Sequence, residues 1–162
     1  MEELPEQIIF KPIGVVHSAF TQEEGTPIQP ALANGAPGWV DILPEFGDGL
    51  KDLETFERVW LVFCLNKAGP CKLVIKPYLD DTPHGVFATR SPSRPNPLGI
   101  SCVRVTGREG LRLDIADVDI LDGTPLLDIK PYVPKFDIFN VTRVGWVTDV
   151  PDSHNADKRF TC

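Results

Sequence analysis

At 162 residues the chain has the length of a single domain, enough to bury roughly two thirds of its unfolded surface. Its 42% hydrophobic and 24% charged residues exclude wholesale disorder, and no apolar run approaches the roughly 18 residues that a membrane span needs. The formal charge of −7 argues against a polyanionic partner until its distribution is read: residues 1–57 hold eleven acids and two bases, residues 58–112 nine bases and three acids, and the remainder five bases and nine acids.

The acidic start, MEELPEQ, lacks the basic and then apolar pattern of a secretory signal, so a cytoplasmic protein is expected. IIFKPIGVVHS opens with a β-rich run, and GWVDILP alternates well enough for a second strand. Between them AFTQEEGTPIQPALANGAPG is rich in Gly and Pro and aperiodic; a loop of that length in a compact domain is functional or disordered. DGLKDLETFERV is the best helix candidate, with Asp48 placed to cap it and Leu50, Leu53 and Phe56 spaced for one face. VWLVFCLNK reads as a continuously apolar strand and CKLVIKPYL as a more alternating one, and GVFATR leads into a proline-rich loop. LGISCVRVTGREG and LRLDIADVDIL form a hairpin pattern, with Gly107 and Gly110 bracketing the turn. In DGTPLLDIKPYVP, Asp122 and Gly123 supply turn chemistry before Leu126, Leu127 and Ile129 resume a strand. The polar tail after Asp149 is expected to fray, dividing the chain into a domain over 1–149 and a tail over 150–162. Sixteen prolines and many short β-rich runs predict a mainly β fold. The architecture expected is a small closed or nearly closed antiparallel β-barrel with one or two short helices, closure removing the exposed sheet edges.

The stretch RSPSRPNPLGIS, from Arg90 to Ser101, is the most unusual in the chain. Pro92, Pro95 and Pro97 each fix φ near −65° and remove a backbone donor, so the segment is a rigid loop. Such a loop presents Arg90, Ser93, Arg94 and Asn96 with little entropy left to lose, and two guanidiniums suit a carboxylate or phosphate. The plain alternative is a strand connection whose arginines are solvated. The PxxP spacing of Pro92 and Pro95 is out of place between two strands. Cys64, Cys71, Cys102 and Cys162 form no CxxC pair, and His17, His84 and His154 lack metal-ligand spacing, so reduced cysteines and no metal site are expected. Cys64 and Cys102 sit in apolar runs and read as core. GxSxG, GxGxxG and P-loop patterns are all missing. What remains is polar residues at strand ends, where Arg90 or Arg94 facing Asp122 or Asp128 would suit a zwitterion.

GVFATRSPSRPNPLGIS and LDGTPLLDIKPYVP resemble the two signature segments of the TsaA-like, or TrmO, family. Its characterised bacterial member uses S-adenosyl-L-methionine to methylate threonylcarbamoyladenosine beside the anticodon of tRNA. PIGVVHS and VWLVFCLNK match as well, so the resemblance spans about residues 8 to 147. It implies a small β-barrel in place of a Rossmann fold, a homodimer, S-adenosyl-L-methionine as cofactor without metal, and tRNA as partner. By position it implies cofactor contacts from Gln29 and Pro30, from Asn66 and Lys67, from Arg90, from Ile100, and from Leu121, Asp122, Gly123 and Thr124. Asn66 departs from the pattern, since many relatives carry histidine there. The bacterial enzyme also carries a small C-terminal extension beyond the barrel.

The accepting nitrogen, next to a carbamoyl, is a poor nucleophile, so a base or a charge-stabilising group would help. Asp128, Lys130 and Tyr132 are the catalytic candidates, each also explicable as structural: Lys130 as a surface charge, Tyr132 as core. Arg94, Arg104 and Arg108, from the basic middle third, are the RNA-binding candidates, unless folding disperses that charge. Phe136, Ile138, Phe139, Val141 and Trp146 crowd more apolar surface near the barrel's end than its interior has room for, which argues independently for a homodimer. Two other readings stand beside this one: a non-catalytic module that binds S-adenosyl-L-methionine or another nucleotide and regulates a partner, and a methyltransferase acting on a different small acceptor.

Overall fold

A computed structural model describes residues 4–160; Cys162 lies outside them. The strands are β1 (Gly14–Ser18), β2 (Gly38–Ile42), β3 (Arg58–Cys64), β4 (Val74–Ile75), β5 (His84–Gly85), β6 (Leu98–Glu109), β7 (Arg112–Ala116) and β8 (Thr124–Pro131), with a four-residue helix α1 (Pro134–Asp137) and several 3-10 turns. Six strands close into the expected antiparallel barrel in the order β1-β2-β7-β6-β3-β8, while β4 and β5 form a separate two-stranded flap.

Period-two alternation fills the barrel. Along β3, Val59, Leu61 and Phe63 are buried, while Arg58, Trp60, Val62 and Cys64 between them face outward, half-buried. Val16, Val40, Val103, Leu113 and Leu126 complete the same core from the other strands, each contributing roughly 1.5 to 3 kcal/mol by leaving water. Phe63 pairs with Gly99 across β3 and β6, and a Cβ on Gly99 would collide with the Phe63 ring. Glycine at that position lets the ring lie over the neighbouring strand. A bulge in β8 opposite Val62 and Phe63 lets Leu126 and Ile129 both turn to the core, leaving Asp128 and Lys130 on the outer wall.

Several local expectations are corrected. The helix drawn over residues 48–59 is two 3-10 turns, Pro44–Leu50 and Leu53–Thr55, broken by Asp52 in the left-handed region at φ 68 with no side-chain cap. The glycines at 47 and 49 and the proline at 44 leave too little helix propensity to bridge that break. Gly107 lies inside β6 beside a register shift, and the β6–β7 turn is Gly110 with Leu111. Cys64 and Cys102 occupy outward positions and are half-buried, not core. The tail does not fray: Gly25 and Ala156 bond through Gly25 N to Ala156 O (2.9 Å) and Ala156 N to Thr26 O (2.7 Å), and Ile28 N reaches His154 O (3.2 Å). Phe160, 5% exposed, packs with Ile75 and Val86 under the flap. The tail therefore fastens the long loop and the flap together.

Candidate functional site

The ends of β1 and β3 and the starts of β6 and β8 meet at one rim of the barrel, because the register sets Cys64 opposite Leu98 and Val16 opposite Thr124. All the cofactor residues implied by the resemblance lie at this rim or on the outer wall just below it. The turn from Leu121 to Thr124 is locked: Gly123 adopts φ 80, its amide bonds Val16 O (2.9 Å), the Asp122 amide bonds Phe20 O (2.7 Å), and the Thr124 hydroxyl donates to Leu121 O (2.7 Å). The Asp122 carboxylate accepts from the Ser18 amide (3.2 Å) and lies 3.0 Å from His17 Nδ1. Lys67 Nζ donates to Asp122 O at 3.2 Å, tying the segment after β3 to the turn, and exposed Asn66 precedes it.

On the other side of the rim Arg90 donates to the Gln29 side-chain oxygen, joining the proline loop to the long loop that holds Pro30. Asp119 lies close by. Ser101 Oγ donates to it at 2.6 Å, and burial pushes its carboxyl up to about 7, against the Ser101 hydroxyl, a backbone amide and the Arg90 charge, which all pull it down. Sequence reading missed Asp119; its trace was an acid alternating with apolar residues in IADVDIL, a pattern it shares with Asp117. Ile100, 50% exposed, offers an apolar contact on the outer wall next to Ser101. A guanidinium, an ammonium and two carboxyl groups at one rim, with an exposed aliphatic side chain on the outer wall below, offer partners for a zwitterion carrying an apolar ring and a further positive centre, which is the chemistry of S-adenosyl-L-methionine.

The remaining candidates fall elsewhere. Arg94 donates to Thr89 O (3.1 Å) and Ser91 O (3.3 Å), so it braces the proline loop from within. Arg104 lies 3.6 Å from Asp117, which also pairs with Arg58 at 2.9 Å; Arg108 bonds Glu54 at 3.3 Å. Arg108 is ten residues along β6 from Leu98, roughly 30 Å of strand from the rim. Each of these three arginines is engaged by a partner within the chain. Asp128 and Lys130 pair at 2.9 Å on the outer wall, beside a hollow lined by Phe10, Val62, Leu98 and Leu127. The register sets Asp128 opposite Val62 and Val62 opposite Ile100, so Asp128 stands about 10 Å from Ile100, two strand spacings away. Tyr132 lies at the far end, its amide on Arg58 O (3.1 Å) and its ring tilted against Trp60 at 6.0 Å. Among the described residues no cluster of metal-ligating side chains forms.

The profile of the tRNA-methyltransferase O N-terminal domain matches residues 15–138, which hold both signature segments and all of the barrel's strands but the first residue of β1. The chain belongs to this family. It is similar to a probable S-adenosyl-L-methionine-binding protein of Pyrococcus abyssi, 51% identical over 89% of this chain and 78% of that one. It is 34% identical to the tRNA (adenine(37)-N6)-methyltransferase of Homo sapiens, over 80% of this chain and 31% of that one. The crystal structure of TrmO from Pseudomonas aeruginosa superposes with a TM-score of 0.76 at 41% identity, over 90% of this chain and 65% of that one. The chain thus spans less than two thirds of the human and Pseudomonas proteins.

Proposed function

We propose that the chain transfers a methyl group from S-adenosyl-L-methionine to the N6 nitrogen of adenosine 37 in tRNA, the base bearing a threonylcarbamoyl group. The observation that carries this reading is the rim itself: Arg90, Gln29, Asp119, Lys67 and Asp122 converge from four separate segments at one end of a TrmO-family barrel. The names of the mammalian relatives support the acceptor.

S-adenosyl-L-methionine supplies an electrophilic methyl group that leaves its sulfur without the bonding electrons. The chain's share is placement and exclusion of water. Arg90 would be the guanidinium for a carboxylate, and the Asp122 carboxylate would favour positive charge beside it. The main chain around Ile100 and Leu121 would hold the adenine. The acceptor nitrogen must lose a proton, and Asp128, held by Lys130 on the wall shared with Ile100, is the best placed of the three candidates to take it.

A homodimer belongs to the same reading. Phe136 in α1 and Ile138, Phe139 and Val141 after it are all exposed, as is Phe10 beside Asp128 and Lys130, an extent of apolar surface that suits a second copy. Light scattering at micromolar concentration should give twice the chain mass.

The deciding experiment incubates the protein with methyl-labelled S-adenosyl-L-methionine and tRNA from cells lacking the family's methyltransferase, followed by mass spectrometry of the nucleosides. Methylated threonylcarbamoyladenosine is expected. Cofactor binding without any methylated nucleoside would instead favour the binding-module reading.

A further inference from the structure

The arginines first assigned to RNA are engaged within the fold, which leaves a tRNA-modifying protein of net charge −7 in need of another contact surface. The flap offers one. Residues 66–94 hold five bases, Lys67, Lys72, Lys76, Arg90 and Arg94, against two acids, Asp80 and Asp81. Both acids lie in the turn between β4 and β5, paired with His84 and Lys76. Positive charge is thereby left at the base of the flap, beside the rim.

The flap has two unlike faces. Its underside, Ile75 and Val86, is sealed by Phe160 of the tail. Its upper side carries Leu73 and Val74, each 65% exposed, and Phe87, 78% exposed. The Val86 amide bonds Leu73 O at 2.9 Å, which holds Phe87 alongside the Leu73 segment, and the Lys72 amide bonds Ser93 O at 3.1 Å, which anchors that segment to the proline loop. Phe87 is three residues from Arg90 in a 3-10 turn that keeps its direction fixed. Lys72 is exposed and makes no ion pair among the described residues. An exposed aromatic ring and an exposed ammonium on two segments bonded to one another, in the stretch that leads to Arg90, match what unstacked nucleotides need: a plane for the base and a cation for the phosphate.

We propose that this upper face of the flap, centred on Phe87 and Lys72, holds unpaired nucleotides of the tRNA next to the target adenosine. The inference rests on the RNA reading given above. A second copy of the chain is the less fitting occupant, because charge complementarity is with a polyanion and a separate exposed apolar face follows α1.

The test uses the full chain, unfractionated tRNA and a synthetic anticodon stem-loop, with Phe87→Ala and Lys72→Ala; both side chains are exposed, so the barrel should remain intact. Removing the aromatic plane should weaken RNA binding about 5- to 100-fold. Lys72→Ala should lower the slope of log affinity against log salt by roughly 0.7, the value for one phosphate contact on a single strand. S-adenosyl-L-methionine affinity, measured by calorimetry, should be unchanged in both. Wild-type protein that binds RNA, with variants that bind it equally and with the same slope, overturns the flap assignment alone. Wild-type protein that binds S-adenosyl-L-methionine but neither RNA overturns the tRNA reading and the flap with it. A drop in light-scattering mass on Phe87→Ala, with RNA affinity retained, would assign the face to a second copy and overturn the proposal.

Discussion

Replacing Asp119 by asparagine should flatten the dependence of stability on pH. In the unfolded chain this carboxyl ionises near its ordinary value of 3.8, whereas in the fold burial keeps it protonated up to about 7. Between those values the folded state holds a proton that the unfolded state has released, so stability falls as pH rises through the window. Some three pH units at about 1.4 kcal/mol each give a penalty of up to roughly 4 kcal/mol, complete above about pH 7 and absent below about pH 4. Asparagine keeps an oxygen for the Ser101 hydroxyl, now 2.6 Å from Asp119 Oδ1, but cannot ionise. Urea titrations of wild type and variant should therefore diverge, the variant gaining about 2 to 3 kcal/mol relative to wild type between about pH 5 and about pH 8. Other titrating groups cancel in that difference. Parallel curves would show that Asp119 is ionised in the fold across the range, and would refute the desolvation argument.

Arg90→Ala should weaken S-adenosyl-L-methionine binding by about 1.5 to 3 kcal/mol in calorimetry if the guanidinium meets a carboxylate; an unchanged affinity would return Arg90 to the solvated-loop reading. Gly99→Ala should destabilise the barrel by about 1 to 3 kcal/mol in denaturant titration, because the new methyl group displaces Phe63, and Phe63→Leu in the same chain should recover part of the loss. Phe160→Ala should empty the cluster under the flap at a local cost of about 3 kcal/mol. The amides of Gly25 and Ile28, bonded to Ala156 O and His154 O, should then exchange hydrogen faster while Val103 in the barrel does not. Unchanged exchange at those two amides would refute the fastening of the loop by the tail.

The barrel was legible because period-two alternation is a local signal: β2, β6, β7 and β8 all announce themselves in stretches such as GWVDI and LRLDIA. What sequence could not supply was which side of a strand meets the interior. Cys64 and Cys102 lie in apolar runs, yet both point outward, because the wall formed by β6, β3 and β8 is half covered on its outer side. The site divides similarly. Asp122, Gly123 and Thr124 were readable as a turn, and the structure shows the hydrogen bonds that lock it. Asp119 escaped because its partner Ser101 becomes visible only once the register of the β6–β7 hairpin, Arg104 opposite Ala116, is known and continued past the end of β7. Arg94 shows the opposite error: a residue type suited to anions turned inward onto Thr89 and Ser91 carbonyls, since three nearby prolines leave the loop short of its own donors.

The clasp between the tail and the long loop also sets an order of events during synthesis. Residues 23–28 leave the ribosome early, but their partners Ala156 and His154, and the Phe160 ring that seats the clasp, are made more than a hundred residues later. β8, the last strand of the barrel, ends at Pro131, so the wall can close with the long loop held at Phe20, Gln29, Gly35 and Ala36 while its stretch from Gly25 to Ile28 still lacks the tail. A nascent chain arrested in that interval is a folded barrel whose rim contacts can form while the flap and the Gly25–Ile28 stretch remain unclasped. Fastening of the flap is then a separate, later step than folding of the core.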